Sequence, residues 1–118
     1  MASFSDQHRQ RLLDADADGI ASLYHDDAEM LSFEFGTKQG RDAIRSQYAA
    51  FFDFHGQISS VEPDRQVEHD GTLFTEFTME SERGQFQLIN AFVLDGDKAE
   101  THFSNVVQGE VEADEAEE

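Results

Sequence analysis

The stretch from Arg41 to His69, RDAIRSQYAAFFDFHGQISSVEPDRQVEH, changes its hydrophobic period part-way along. In its first half the apolar side chains recur at three- and four-residue spacing, which predicts a long amphipathic helix. These side chains are Ala43, Ile44, Tyr48, Phe51 and Phe52. From Gln57 onward the period becomes two, which is the period of a β-strand. The chain therefore passes from helix to sheet within this stretch.

Four strands are predicted after Gln57, separated by tight-turn signals. Asp70-Gly71 is a strong hairpin signal, and Arg83-Gly84 and Asp95-Gly96-Asp97 mark two further turns. The strands cover residues 58–69, 72–82, 85–94 and 98–107. Pro63 predicts an edge position or a kink in the first of them, because proline has no N–H for the strand ladder.

The N-terminal part of the chain predicts two helices and one more strand. Ser3 or Ser5 can cap a first helix whose apolar face includes His8 and Leu12. A short second helix carries Ile20, Leu23 and Tyr24, and residues 28–35 alternate as a strand closed by Gly36. Helices followed by an antiparallel meander indicate the α+β class, with the helices packed on one face of a curved sheet.

The formal net charge is −18, from 26 acidic and 8 basic residues. Residues 110–118 carry six acids and no base, so −12 remains on the other 109 residues. This charge argues against a nucleic-acid or anionic-membrane partner, since both require clustered Lys and Arg. Acid-rich, lysine-poor composition on a globular pattern is typical of a halophile's cytoplasmic protein, in which salt screens the self-repulsion.

Cysteine is absent, which excludes disulfides, thiolate catalysis and cysteine-ligated metal centres. The first twenty residues lack the apolar stretch of a signal peptide, and no run of eighteen apolar residues occurs. We therefore expect a cytoplasmic location.

Two segments carry a family resemblance. DADGIASLYHDDA at residues 16–28 and GTKQGRDAIR at residues 36–45, followed by the meander ending LDGDKAETHF, resemble the nuclear transport factor two-like superfamily, particularly its SnoaL-like and ketosteroid isomerase-like members. The resemblance implies a cone-shaped cystatin-like α+β fold over residues 1–108, in which helices close a strongly bent, mainly antiparallel sheet around a pocket. Residues 109–118 are then an acidic, disordered tail.

The resemblance implies one fold but several possible functions. Family members include isomerases, cyclases, dehydratases and non-catalytic binding proteins, and many are homodimers that pair through the sheet. The ketosteroid isomerase residues are not carried over: Ser32 stands at the position of the base, Asn90 at that of the oxyanion-hole Asp, and His8 or Arg9 near that of the Tyr. Steroid-isomerase chemistry is therefore rejected, while Asn90 can still donate a hydrogen bond to a ligand carbonyl.

Strand alternation predicts the side chains that face the pocket. The candidate pocket residues are Ser32, Glu34, Tyr48, Phe77, Met79, Asn90, Phe92 and Ser104. His102 is the candidate acid/base, because its ordinary pKa of about 6.5 suits proton transfer near neutrality. The alternatives are that His102 only contacts a ligand, or only completes a hydrogen bond in the sheet. For His55, which ends the long helix, a favourable interaction with the helix dipole is expected.

No metal or cofactor is expected. The run DADADG at residues 14–19 matches the start of a calcium-binding loop, but the required glutamate at its twelfth position is His25. Phosphate-binding and nucleophilic-serine motifs are also missing from the sequence.

Two functions remain open at this point. The first is a SnoaL-like protein that binds a small, mostly apolar molecule and performs proton-transfer chemistry of the isomerase, cyclase or dehydratase type. The second is a non-catalytic ligand-binding or dimerisation module.

The net charge of the chain leads to the first testable prediction. We expect the melting temperature to fall when the protein is moved from molar KCl to low salt, because repulsion among the acidic side chains is then unscreened. A thermal melt across a KCl series measures this effect. A melting temperature that is the same in molar salt and in dilute buffer would contradict the halophile interpretation.

Overall fold

A computed structural model describes residues 3–32 and 36–111 of the chain. Its helices are α1 (Phe4–Leu13), α2 (Ala17–Ala21) and α3 (Arg41–His55). Its strands are β1 (Tyr24–Ser32), β2 (Gly36–Gln39), β3 (Ile58–His69), β4 (Thr72–Ser81), β5 (Gly84–Asp95) and β6 (Lys98–Val111).

Side-chain caps explain where the first two helices begin. The Ser3 hydroxyl accepts a hydrogen bond from the Asp6 N–H at 3.1 Å, so Ser3 rather than Ser5 caps α1. The Asp16 carboxylate accepts from the Gly19 N–H at 2.9 Å and caps α2. The acidic run at residues 14–19 thus covers the turn between α1 and α2 and the first three residues of α2.

The six strands form one curved, unclosed sheet in the order β2-β1-β6-β5-β4-β3. All neighbouring pairs are antiparallel except β1 and β6, which run parallel. The meander from β3 to β6 confirms the prediction from the period-two pattern. β3 lies at the edge of the sheet, and its register shifts between Pro63 and Arg65, as the proline predicted.

The structure differs from the sequence prediction at two places in the N-terminal half. Tyr24 was assigned to the second helix but begins β1, where it pairs with Ala99 and its carbonyl accepts two hydrogen bonds from the Arg41 guanidinium at 2.6 and 3.1 Å. The strand β2 was not predicted, because its sequence Gly-Thr-Lys-Gln has no apolar alternation. Backbone pairing with β1 is what makes this segment a strand.

The boundary between the domain and the predicted tail needs adjustment. β6 continues to Val111, three residues into the segment 109–118 that the sequence assigned to a disordered tail. Residues 112–118, and residues 33–35 with the candidate Glu34, lie outside the described residues.

The core lies between the helices and the inner face of the sheet. Tyr24, Ile44, Met79 and Phe92 are among its fully buried side chains. Of the helices in the described ranges, none has the length and apolar character needed to cross a lipid bilayer.

Candidate functional site

A cavity of about 310 Å³ lies between α3 and the inner face of the sheet. This volume is at the lower end of the range typical of small-molecule sites. Most of the wall is apolar: Leu12, Met30, Ala50, Phe51, Phe54, Phe77, Phe86, Leu88 and Val106. The polar lining residues are His8, Gln47, Tyr48, His55, Asn90 and Ser104.

The structure brings half of the predicted pocket residues together at this cavity. Tyr48, Phe77, Asn90 and Ser104 line it. Asn90 and Ser104 are paired neighbours on β5 and β6, so the alternation of both strands turns them to the same face.

The other candidates among the described residues lie outside this cavity. Met79 and Phe92 are buried in the core without lining the cavity. Ser32 lies at the end of β1, where it lines a separate groove with Phe103. His102 is fully buried and does not line the cavity, but its Nε2 contacts the lining residue Asn90.

Five buried polar side chains form a continuous hydrogen-bonded chain through the core. The His8 Nε2 lies 3.1 Å from the Tyr48 hydroxyl, which lies 3.2 Å from the Tyr24 hydroxyl. The Tyr24 hydroxyl lies 2.7 Å from the Nδ1 of His102, whose Nε2 lies 2.7 Å from the Oδ1 of Asn90. The chain joins α1, α3, β1, β6 and β5 in that order.

Burial keeps the members of this chain uncharged near neutral pH. It lowers the pKa of His8 to about 4, and it holds the pKa of His102 well below its ordinary value, with a smaller contribution from nearby His8. Burial also raises the pKa of both Tyr24 and Tyr48. The two histidines are therefore neutral imidazoles, each with one N–H and one acceptor nitrogen.

With both histidines neutral and the Oδ1 of Asn90 facing His102, the direction of every hydrogen bond in the chain follows. The Oδ1 of Asn90 can only accept, so the Nε2 of His102 donates to it and the Nδ1 must accept from Tyr24. The Tyr24 oxygen then accepts from the Tyr48 hydroxyl, and the Tyr48 oxygen accepts from the His8 Nε2–H. All four protons point toward Asn90.

One polar group at the end of this chain has no partner. Asn90 is 2% exposed, and its Nδ2 is the only buried side-chain N or O atom among the described residues without a hydrogen bond. A buried amide N–H₂ left unpaired costs free energy on the order of 1–3 kcal/mol. Because Asn90 lines the cavity, a molecule bound there with an acceptor atom can satisfy it.

Sequence reasoning missed the importance of His8 and Tyr24. His8 was placed on the apolar face of α1, four residues from both Phe4 and Leu12, and a polar side chain in such a stripe needs a buried partner. Tyr24 was missed because it was assigned to a helix.

His55 was expected to interact with the dipole of α3. It is instead buried at the cavity wall, and its Nδ1 lies 3.0 Å from the Ser81 hydroxyl. Burial, with the nearby charge of Arg83, lowers the pKa of His55 to about 4. The neutral side chain therefore makes no charge–dipole interaction near pH 7.

No metal site is formed by the part of the chain that the structure describes. Its His, Asp and Glu side chains nowhere gather in a group of three that could hold an ion. The polar side chains of the cavity offer hydrogen bonds to an organic molecule instead.

The fold and the cavity together define a nuclear transport factor two-like α+β cone, in which helices close a curved sheet over an internal pocket. Within this class, the sequence pattern of the SnoaL-like domain matches residues 6–107, and the chain belongs to that family. No curated protein sequence matches it.

Solved structures of low sequence identity share the fold. A SnoaL-like protein of unknown function from Burkholderia thailandensis is 15% identical with a TM-score of 0.76, over 89% of this chain and 92% of that one. A cystatin-fold protein from Novosphingobium aromaticivorans is 16% identical with a TM-score of 0.74, over 88% and 98%. A ketosteroid isomerase-like protein from Catenulispora acidiphila, in complex with trimethylamine, is 10% identical with a TM-score of 0.75, over 86% and 82%.

The buried histidines predict a pH dependence of stability. The folded-state pKa of His8, about 4, lies below its unfolded value of 6.5, so between these values the unfolded state binds more protons. The stabilisation is therefore complete above pH 6.5 and is lost as the pH falls toward 4. The loss from His8 amounts to roughly 3 kcal/mol, since one pKa unit corresponds to about 1.4 kcal/mol.

Urea unfolding of the wild type and of His8→Gln at several pH values between 7 and 4 isolates this effect. The acidic side chains titrate in both proteins, so the difference between the two free energies of unfolding reports on His8. We expect the wild type to lose more stability than the variant on acidification. Parallel curves for the two proteins would show that His8 is not held neutral.

Proposed function

We propose that the protein binds a small, neutral, largely apolar molecule that carries a hydrogen-bond acceptor such as a carbonyl oxygen. The observation that carries this proposal is the unpartnered Nδ2 of Asn90 in the wall of an apolar cavity. An acceptor on the ligand would complete the hydrogen bonding of Asn90, while the remainder of the ligand would contact phenylalanine and leucine side chains.

The lining residues favour an uncharged ligand. They include no Asp, Glu, Lys or Arg, and the two histidines among them have pKa values of about 4. A charged ligand would lose its hydration in this cavity without gaining a counter-charge. The excess of acidic residues in the chain therefore does not determine what the cavity accepts.

Binding without chemistry is favoured over proton transfer. His102, the candidate acid/base, has both ring nitrogens in hydrogen bonds and does not line the cavity. The imidazoles that do line it, His8 and His55, have pKa values far below neutrality and are weak bases. Proton transfer is the second candidate because these neutral imidazoles contact the same cavity as Asn90.

Asn90→Leu tests the binding proposal with a matched ligand pair. The variant keeps a side chain of similar size but removes the N–H₂ donor, so we expect it to bind 1-indanone about tenfold more weakly than the wild type. Indane has the same carbon skeleton without the carbonyl, and its affinity should change less than twofold. Calorimetry or ligand-observed NMR in molar KCl measures both affinities.

Ser104→Ala is the control, because Ser104 is the paired neighbour of Asn90 and lines the same cavity. It should leave both affinities within about twofold. Failure of the wild type to bind either ligand would overturn the proposal. Accelerated exchange of the α-protons of 1-indanone in D₂O would favour the proton-transfer alternative instead.

We also propose a homodimer formed through the outer face of the sheet. Phe103 on β6 is 46% exposed on this face, and Ile89 and Val93 on β5 and Phe74 on β4 are only half-buried there. A second copy of the chain would cover these apolar side chains.

Phe103→Glu tests the homodimer. A carboxylate at this position would have to be buried in the interface, so we expect the variant to elute at the monomer mass in size-exclusion chromatography with light scattering. Ala49→Glu adds the same charge on an exposed position of α3 and should leave the dimer intact. A wild type that is monomeric at high concentration would contradict the proposal.

A further inference from the structure

We infer that Tyr24 and His102 are positioning residues that fix the orientation of the Asn90 amide, so that the cavity selects ligands with a hydrogen-bond acceptor over ligands of the same shape with a donor. This inference rests on the proposed binding function and adds a rule for its specificity. The observations behind it are the two shortest hydrogen bonds of the buried chain, both 2.7 Å.

The amide of Asn90 has two possible orientations, related by a half-turn that exchanges Oδ1 and Nδ2. In the observed orientation the Oδ1 accepts from the His102 Nε2–H. After a half-turn the Nδ2 would face that same N–H, and two donors would oppose each other at 2.7 Å. The Nε2–H tautomer of His102 therefore holds the amide with its N–H₂ group toward the cavity.

Tyr24 in turn holds the tautomer of His102. Its hydroxyl donates to the Nδ1, which can accept only while the ring proton is on the Nε2. The Tyr24 hydroxyl cannot easily reverse, because its oxygen accepts from Tyr48, whose oxygen accepts from His8. Turning one hydrogen bond of the chain around would require all of them to turn.

Packing restrains the His102 ring as well. The ring stacks on Phe92 with centroids 4.1 Å apart and planes 22° apart, and both side chains are almost completely buried. Rotation of the ring would break this stack along with both hydrogen bonds. Tyr24 and His102 do not line the cavity, so they act on a ligand only through lining residues: His102 through Asn90, and Tyr24 through His102 and through Tyr48.

A pair of bicyclic ligands distinguishes acceptor from donor. The carbonyl of 1-indanone only accepts hydrogen bonds, whereas the N–H of indole only donates one. With the Asn90 N–H₂ facing the cavity, indole would oppose a donor with a donor, so we expect the wild type to prefer 1-indanone about tenfold or more.

Tyr24→Phe is the decisive variant. It removes the hydroxyl that holds the His102 tautomer and replaces no lining residue, although the Tyr48 hydroxyl also loses a partner, so we expect the preference for 1-indanone to fall to within about threefold. The ¹⁵N spectrum of the histidine side chains should show the Nε2–H tautomer of His102 alone in the wild type and a mixture of tautomers in the variant. Phe92→Leu removes the stacking partner of His102 but none of its hydrogen bonds. Since the hydrogen bonds and not the stack set the tautomer, this control should keep the wild-type preference and tautomer.

The outcomes separate the two proposals. If neither ligand binds the wild type, the proposed binding function fails, and the ¹⁵N spectrum still tests the positioning role because it needs no ligand. If 1-indanone binds but Tyr24→Phe leaves both the preference and the tautomer unchanged, the positioning role is wrong. Should Tyr24→Phe fail to fold, a wild-type spectrum showing the Nδ1–H tautomer of His102 would by itself overturn the inference.

Discussion

Buried polar groups must be paired, and this constraint shapes the core of the protein. His8, Tyr24, Tyr48, His102 and Asn90 lie deep in an otherwise apolar interior, and each is tolerable only because the next one along the chain accepts or donates its proton. These five side chains come from five different helices and strands. Their hydrogen bonds therefore define the position of α1 and α3 on the sheet, because a hydrogen bond requires two particular atoms to meet, whereas apolar contacts are not directional.

The need to pair buried polar groups also indicates where the proposed binding site lies. The chain of hydrogen bonds ends at an amide whose oxygen accepts the last of them and whose N–H₂ group has no partner in the described residues. This amide is that of Asn90, and it lies where the apolar wall of the cavity begins. The hydrogen bonds that join the helices to the sheet thus end at the proposed binding site. There a ligand would remove the free-energy cost of leaving the Asn90 N–H₂ group unpaired.

The fold could be predicted from the sequence because the relevant signals are local. The helical spacing in α3, the period-two alternation of β3 to β6 and the Asp70-Gly71 turn each lie within a short stretch of chain. Alternation also placed Asn90 and Ser104 on one face. The network could not be predicted, since His8 and Tyr48 lie forty residues apart and Tyr24 and His102 seventy-eight. Ser32 was misplaced because alternation gives the face of a strand but not where along the strand the cavity ends.

The parallel pairing of β1 with β6 has a consequence for the way the chain is made. Of the described strands β6 is the last to leave the ribosome, and until it emerges β1 and β2 have no edge through which to join the sheet. The antiparallel meander from β3 to β5 can form early from contacts between chain neighbours, but insertion of β6 between β5 and β1 must close a loop of about seventy residues. The cavity wall and the hydrogen bonds of His102 are therefore completed together, when β6 joins the sheet, and a nascent chain stalled before β6 lacks the strand that carries His102 and Ser104.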